Sequence, residues 1–335
     1  MNRPRPRAKH ILHVLPIVLA NLGLALTLGA CGGKQPPPPA ADCPAPEKAA
    51  DADTEKKSEE FAPPSLDTIP EGPYGDAVRR GQRIITDTQT YAADYAGSAH
   101  NCSNCHLYAG QRPGAAPYWA AWGMYPDYRK KTDRIDTMED RIRGCFEYSM
   151  NAQASKAGKA PEAGDPLLAD IQAYMRWLAT EAPASHELPG RGYATPAKPE
   201  GGPSLEAGAE VYASKCAICH GDDGQGMRAE GEALHFPPLW GPEAYNWGAG
   251  MHRINTAAGF IQGNMPLGQG GTLTDKEAWD VAAFINSHER PKDPRQVGEV
   301  AEADASFHDH DCMYGESAEG GATLGAGATK PAAAG

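Results

Sequence analysis

Basic residues are in short supply: 31 lysines and arginines stand against 43 aspartates and glutamates in 335 residues, a formal net charge of −12. That balance argues against nucleic acid as a partner, because a polyanion binder needs a basic face. Core-forming side chains are scarce from 32 to 66, where the run Pro36 to Pro39 sits among Pro, Ala, Asp, Glu and Lys. Such a stretch cannot bury a core and reads as an extended tether. Residues 296–335 turn acidic and then Gly/Ala-rich, which predicts a disordered tail. What remains is long enough for two compact domains.

The first 31 residues are not counted as fold. A basic start (Arg3, Arg5, Arg7, Lys9), an apolar run from Ile11 to Leu28 and then small residues have the three-part form of an export signal. Leu28-Gly29-Ala30-Cys31 resembles the lipobox of bacterial lipoproteins, in which the cysteine is acylated and becomes the first residue. The expectation is a protein on the periplasmic side of a bacterial membrane, anchored through lipid at Cys31. An ordinary cleaved signal, leaving a soluble periplasmic protein, is the competing reading.

Cys102-Ser103-Asn104-Cys105-His106 and Cys216-Ala217-Ile218-Cys219-His220 are both C-x-x-C-H, the attachment sequence of c-type haem. Thiols three residues apart reach the two vinyl groups of one porphyrin, and the adjacent histidine is presented to the iron. A shared zinc site is less natural across the roughly hundred residues between the pairs, and a disulfide gives the histidines no role. Two covalently attached haem c groups are expected.

The surroundings repeat. After the second motif come Asn264-Met265-Pro266, the capping box Thr274 to Glu277, and a helix whose Ala278, Val281, Ala282 and Ile285 share one face. After the first come "GCFEYSMN" and a helix opened by Asp165-Pro166, with Leu167, Leu168, Ile171, Tyr174, Met175 and Leu178 on one face. The pattern predicts a mainly α chain of two tandem cytochrome c-like helical domains, 67–190 and 204–295, joined by a Pro/Gly-rich linker at 191–203.

Each iron keeps a further axial position that decides between electron relay and chemistry. For the second haem Met265 is favoured by its place before the C-terminal helix, with Met251 and Met227 as competitors. In the first half Cys145 stands at the equivalent place, 39 residues past His106. A thiolate there would lower that haem's potential relative to a His/Met pair. A disulfide to Cys43 or Cys312, an inert buried thiol, and the rival ligands Met138 and Met150 remain open. Arg129, Lys130, Lys131, Arg134, Arg141 and Arg143 gather before this cysteine. Arg141 and Arg143 suit a small dianion held by charge-assisted hydrogen bonds, while Lys130 and Lys131 read as a docking face for an acidic redox partner.

The blocks "CSNCHLYAGQRPGAAPYWAAWGMYPDYR", "TMEDRIRGCFEYSMN" and "AYMRWLA", followed by "CAICHGDDGQG", "FPPLWGPEAYNWGAGM" and "NMPLGQGGTLTDKEAWDVAAFINSHERP", resemble the dihaem thiosulfate dehydrogenases in order and spacing. The likeness runs from about Tyr74 to Arg295. It implies a catalytic haem 1 with axial His106 and Cys145, attended by Arg141, Arg143 and Ser149, and a haem 2 with His220 and Met265. It further implies oxidative coupling of two thiosulfates to tetrathionate, reversible in some members, with electrons passing to an acceptor cytochrome or similar protein. The chain departs from the family pattern at Tyr148, where an arginine often precedes Ser-Met-Asn, and at Asn264, where some relatives have lysine. A dihaem electron-transfer cytochrome without its own substrate is the alternative; it needs neither a thiolate ligand nor an anion pocket. "FHDHDCMYG" lies outside the resemblance. Its His308, His310 and Cys312 could take a metal, but a solvated tail is the expected state, and a disulfide between Cys43 and Cys312 stays open.

Overall fold

The computed structural model describes residues 61–228, 235–318 and 320–329. The export-like segment, Cys31, Cys43 and most of the tether lie outside them. The described chain is mainly helical, with two short antiparallel hairpins as its only sheets.

Each C-x-x-C-H motif follows a helix that packs on a partner much later in the chain. In the first half α1 (Pro73–Thr86) lies against a later helix, Pro166–Leu178. Between them comes α2 (Met138–Gly144), so Pro166–Leu178 is α3. Asp165 caps α3 by accepting from the Leu167 amide at 2.9 Å, and Pro166 opens the first turn, where no amide hydrogen is needed. In the second half α4 (Leu205–Lys215), α5 (Ile254–Asn264) and α6 (Asp275–Asn286) pack together. Thr274 and Glu277 form the reciprocal capping box at the start of α6.

The same device sets both helix crossings. A Cβ on Gly81 of α1 would stand 2.1 Å from the Asp170 carbonyl oxygen and 2.8 Å from Tyr174 Cβ. A Cβ on Gly208 of α4 would stand 2.2 Å from the Asp280 carbonyl oxygen and 2.8 Å from Phe284 Cβ. Glycine at the contact lets the backbones approach closely, and the partner residues are spaced i, i+4 in both halves.

Two apolar clusters result. One centres on Val78, Phe146, Leu168, Tyr174 and Leu178, the other on Ala258, Ala278, Val281 and Ala282. The Pro/Gly-rich stretch between the halves is tied at both ends: Gly114 N donates to Gly190 O at 2.7 Å, and Trp279 Nε1 to Pro196 O at 3.0 Å.

The predicted disordered tail is corrected. Residues Val300–Phe307 form α7, and Ala303, Tyr314 and Leu324 bury themselves against Trp247 as a third apolar cluster. Tyr314 also donates to Gln296 Oε1 at 2.7 Å, and Gly325 N donates to the Glu289 carboxylate at 2.9 Å. A few well-placed apolar side chains suffice to dock a segment whose average composition is that of a solvated tail.

Candidate functional site

The first motif starts on a short turn, Cys102–Asn104, closed by hydrogen bonds between Asn101 and Asn104. Thr88 Oγ1 accepts from the Cys102 amide at 3.0 Å, which fixes the turn to the end of α1. Burial pushes both motif thiols up to about 12, so each is a neutral, apolar-like group. His106 Nδ1 donates to the Ala116 carbonyl at 2.7 Å, and Ala116 takes a left-handed φ of 48° there. This bond leaves Nε2 as the lone-pair nitrogen, as a metal-ligating histidine requires.

Cys145 is delivered to the same place by α2. Thr137 and Asp140 cap the helix reciprocally, and its last turn widens into a π-helical turn, Cys145–Ser149. Arg141, one turn before the cysteine, donates from Nη1 to Cys145 Sγ at 2.8 Å. Burial alone would raise this thiol, but the Arg141 charge, with Arg129 adding to it, holds it down to about 6. Cys145 forms no disulfide. Its rivals Met138 and Met150 are packed into the first apolar cluster.

Arg143 goes elsewhere: its Nε donates to the Pro161 carbonyl at 2.9 Å, and its Nη1 stands 3.9 Å from Asp140. Two residues on a helix are about 200° apart, so Arg143 cannot share the face on which Arg141 and Cys145, at i and i+4, meet. Ser149 is half-buried, and its carbonyl accepts from Ser98 Oγ at 3.2 Å.

The structure supplies other cations. β1 (Asp127–Arg129) and β2 (Arg134–Asp136) form a hairpin whose buried Asp136 carboxylate lies 3.5 Å from Arg129 and 3.0 Å from Arg134. Lys130 points outward, as a docking face requires. Lys131 does not: its Nζ sits 3.2 Å from the centre of the Tyr148 ring and donates to the Gly248 carbonyl at 2.5 Å. Burial, reinforced by Arg295 and Arg141, holds Lys131 down to about 6. Tyr193, from the interdomain stretch, also reaches this site, where its hydroxyl group feels Cys105, Arg141 and Cys145. Arg129, Lys131 and Tyr193 owe their places to the hairpin and to the linker; neither carries a motif at these positions.

The second motif opens onto a cavity of about 430 Å³, lined by Cys216, Cys219, His220, Met251 and Met265, and on one side by Cys105 of the first motif. His220 Nδ1 donates to the Pro237 carbonyl at 2.9 Å, repeating the arrangement at His106. Met265 follows the last residue of α5 directly. Met227 is 43% exposed and is not among the residues lining the cavity. Arg290 is fully buried, donates from one nitrogen to the Ile285 carbonyl at 3.0 Å and lies over the Tyr245 ring. Its Nε and Nη1 have no partner. Ile285 and Tyr245 both belong to the cavity wall. Paired thiols, a histidine with a free Nε2, a thioether across the cavity and a buried guanidinium in need of an anion fit a c-type haem, whose propionates are carboxylates.

Residues 203–285 match the model of the family "Cytochrome C oxidase, cbb3-type, subunit III". The chain is 48% identical over 270 residues to the thiosulfate dehydrogenase of Stutzerimonas stutzeri, covering 80% of this chain and 85% of that one. It belongs to the thiosulfate dehydrogenase family. The Thiomonas intermedia thiosulfate dehydrogenase is 43% identical over 272 residues, 81% of this chain and 84% of its own. Among solved structures, thiosulfate dehydrogenase TsdBA from Marichromatium purpuratum in its as-isolated form superposes with a TM-score of 0.77 at 50% identity. That match covers 80% of this chain and 58% of the TsdBA chain. Membership in the thiosulfate dehydrogenase family, with the cytochrome c family match, makes haem c the cofactor of this fold.

Proposed function

We propose that this protein oxidises thiosulfate, joining two molecules into tetrathionate with release of two electrons. The observation that carries the reading is the contact between Arg141 and Cys145, facing His106: a sulfur held as thiolate beside a fixed cation, where a relay cytochrome has no use for either. Two thiosulfate dianions must approach sulfur to sulfur. Unit charges 4 Å apart near a protein surface repel by about 4 kcal/mol, and dianions by roughly four times as much. Arg141, with Arg129 and Lys131 behind it, offsets that repulsion. A dianion entering beside Lys131 would favour its ammonium form and bring a further positive charge.

His106 and Cys145 would hold the haem of the first site, and His220 and Met265 that of the second. When bound, these two haems supply one-electron acceptance and onward transfer to an acceptor cytochrome or similar protein. The same reading assigns residues 67–190 and 204–295 as the two haem domains, and puts the protein on the periplasmic side of a membrane with lipid at Cys31. No helix among the described residues is long and apolar enough to cross a membrane.

Steady-state assays of haem-loaded protein test the proposal, with thiosulfate plus an artificial oxidant and separately with tetrathionate plus a reductant. Turnover in the first, with tetrathionate as product, is expected; none in either direction would leave a pure relay. The relay reading draws on the second half alone, where the match is to the family model of cytochrome c oxidase, cbb3-type, subunit III.

A further inference from the structure

Three histidines and a cysteine converge away from both haem-binding motifs. His308, His310 and Cys312 alternate along the segment that follows α7, and His252 comes from the loop before α5. One ligand atom from each of the four lies within 4.8 Å of all the others. His252 and His308 are buried, and His310 and Cys312 are half-buried.

The hydrogen bonds around the cluster leave two of its nitrogens, one on His252 and one on His308, as acceptors. His252 Nδ1 donates to the Ala249 carbonyl, so its Nε2 carries the lone pair. That Nε2 lies 2.6 Å from His310 Nε2, two nitrogens brought together with no carboxylate between them. His308 Nε2 donates to Asp293 Oδ2 at 3.1 Å, and Arg295 donates to the same oxygen at 2.6 Å. Its Nδ1 is therefore the acceptor, and it is buried with no partner of any kind. An unsatisfied buried polar atom costs about 1–3 kcal/mol, and His308 shares its surroundings with three other residues that offer electron pairs. The His308 ring is fixed further by stacking on Tyr314, with centroids 3.7 Å apart and planes 4° apart.

We propose that this cluster is a structural zinc site, with His252 Nε2, His308 Nδ1, His310 Nε2 and Cys312 Sγ as its four ligands. Zinc takes nitrogen at about 2.0–2.1 Å and thiolate at about 2.3 Å in a closed tetrahedron, and three imidazoles with one thiolate complete it without a water. Binding exchanges the thiol proton for the metal: the Cys312 S–H bond breaks, a zinc–sulfur bond forms, and the proton leaves to solvent. The Asp293–His308 pair is the carboxylate–histidine arrangement that orients metal ligands elsewhere. The site pins the C-terminal segment to the loop whose Gly248 carbonyl receives Lys131. Its role is to hold that segment, and it stands independently of the thiosulfate reading.

The test uses the full-length, haem-loaded protein prepared without chelator. Expected is one zinc per chain, with absorption at the zinc edge giving about three nitrogen neighbours near 2.0–2.1 Å and one sulfur near 2.3 Å. His310→Ala and Cys312→Ser, at half-buried positions, should each reduce zinc at least fivefold while haem content stays unchanged. No zinc after growth and dialysis in zinc overturns the site. So does zinc with no sulfur neighbour, or zinc retained in both variants. Copper bound in preference to zinc overturns the metal assignment.

Discussion

The Cys145 thiol lies below its ordinary range chiefly because of one neighbour, Arg141. Replacing Arg141 by Met removes the largest force opposing burial, so the thiol should rise well above about 6 and the site should lose its fixed cation. Hydrogen bonds to charged groups contribute about 1.5–3 kcal/mol, so thiosulfate kcat/KM should fall roughly ten- to hundredfold or more. Arg141→Lys keeps the charge and should recover part of the loss. Steady-state kinetics on variants with full haem content checks both; an unchanged kcat/KM in Arg141→Met would separate Arg141 from catalysis. Much at this scale was legible in the sequence. Cys145 lies beside Arg141 and His106, and Met265 lines the cavity of the second motif, placements that the motifs and the helix spacing made visible. Arg143 was misread because nearness in sequence is not nearness on a helix. Lys131 was misread as an outward charge because only the hairpin's turn reveals that Lys130 and Lys131 point opposite ways. Arg129 was read only as one of the basic residues gathered before the cysteine, and Tyr193 had no signal, since partners far along the chain fix it.

The helices were read well where caps and periodicity coincide. Asp165 and Thr274 cap as expected, and Ala278, Val281, Ala282 and Ile285 are all buried. The glycines at the crossings escaped notice, because a single glycine in a helix pattern resembles a weak point until its facing backbone is known. Gly208→Ala should be costly even though alanine favours helix. Its methyl group would meet backbone at 2.2 Å, so α4 must slide off α6. Overpacking of this kind costs about 1–3 kcal/mol and outweighs the gain of about 1 kcal/mol in helix propensity. Thermal unfolding of the haem-loaded variant should show a Tm lower by several degrees; an equal or higher Tm would mean that the crossing adjusts freely.

At the scale of the whole molecule, the two halves and the C-terminal segment hold one another. Asn246, in the second half, donates to the Glu147 carbonyl at 2.9 Å and to Asn151 Oδ1 at 3.2 Å, beneath the Cys145 turn. Trp247 next to it is covered by Tyr314 and Leu324. Removing residues from Glu299 onward should therefore be felt at the active site. Burial of Tyr314 and Leu324 contributes about 1.5–3 kcal/mol each, so the truncated protein should unfold several degrees earlier and be cleaved faster by protease around Trp247. Identical melting would show the segment to be passive. Composition concealed this docking, because a handful of apolar residues among many small and acidic ones leaves the average unchanged.

The interdomain stretch has a consequence for how such proteins are rebuilt. Its Tyr193 is buried within electrostatic reach of Arg141 and Cys145, stacks edge-on against Phe260 with centroids 5.6 Å apart, and precedes an Ala194 carbonyl that a Cβ on Gly259 would strike at 2.0 Å. A segment fitted this closely to both sides is no interchangeable spacer. Grafting a foreign cytochrome module onto the first half would have to carry the native join along with it, at its native length, or Tyr193 and Ala194 would lose the partners they fit on α5.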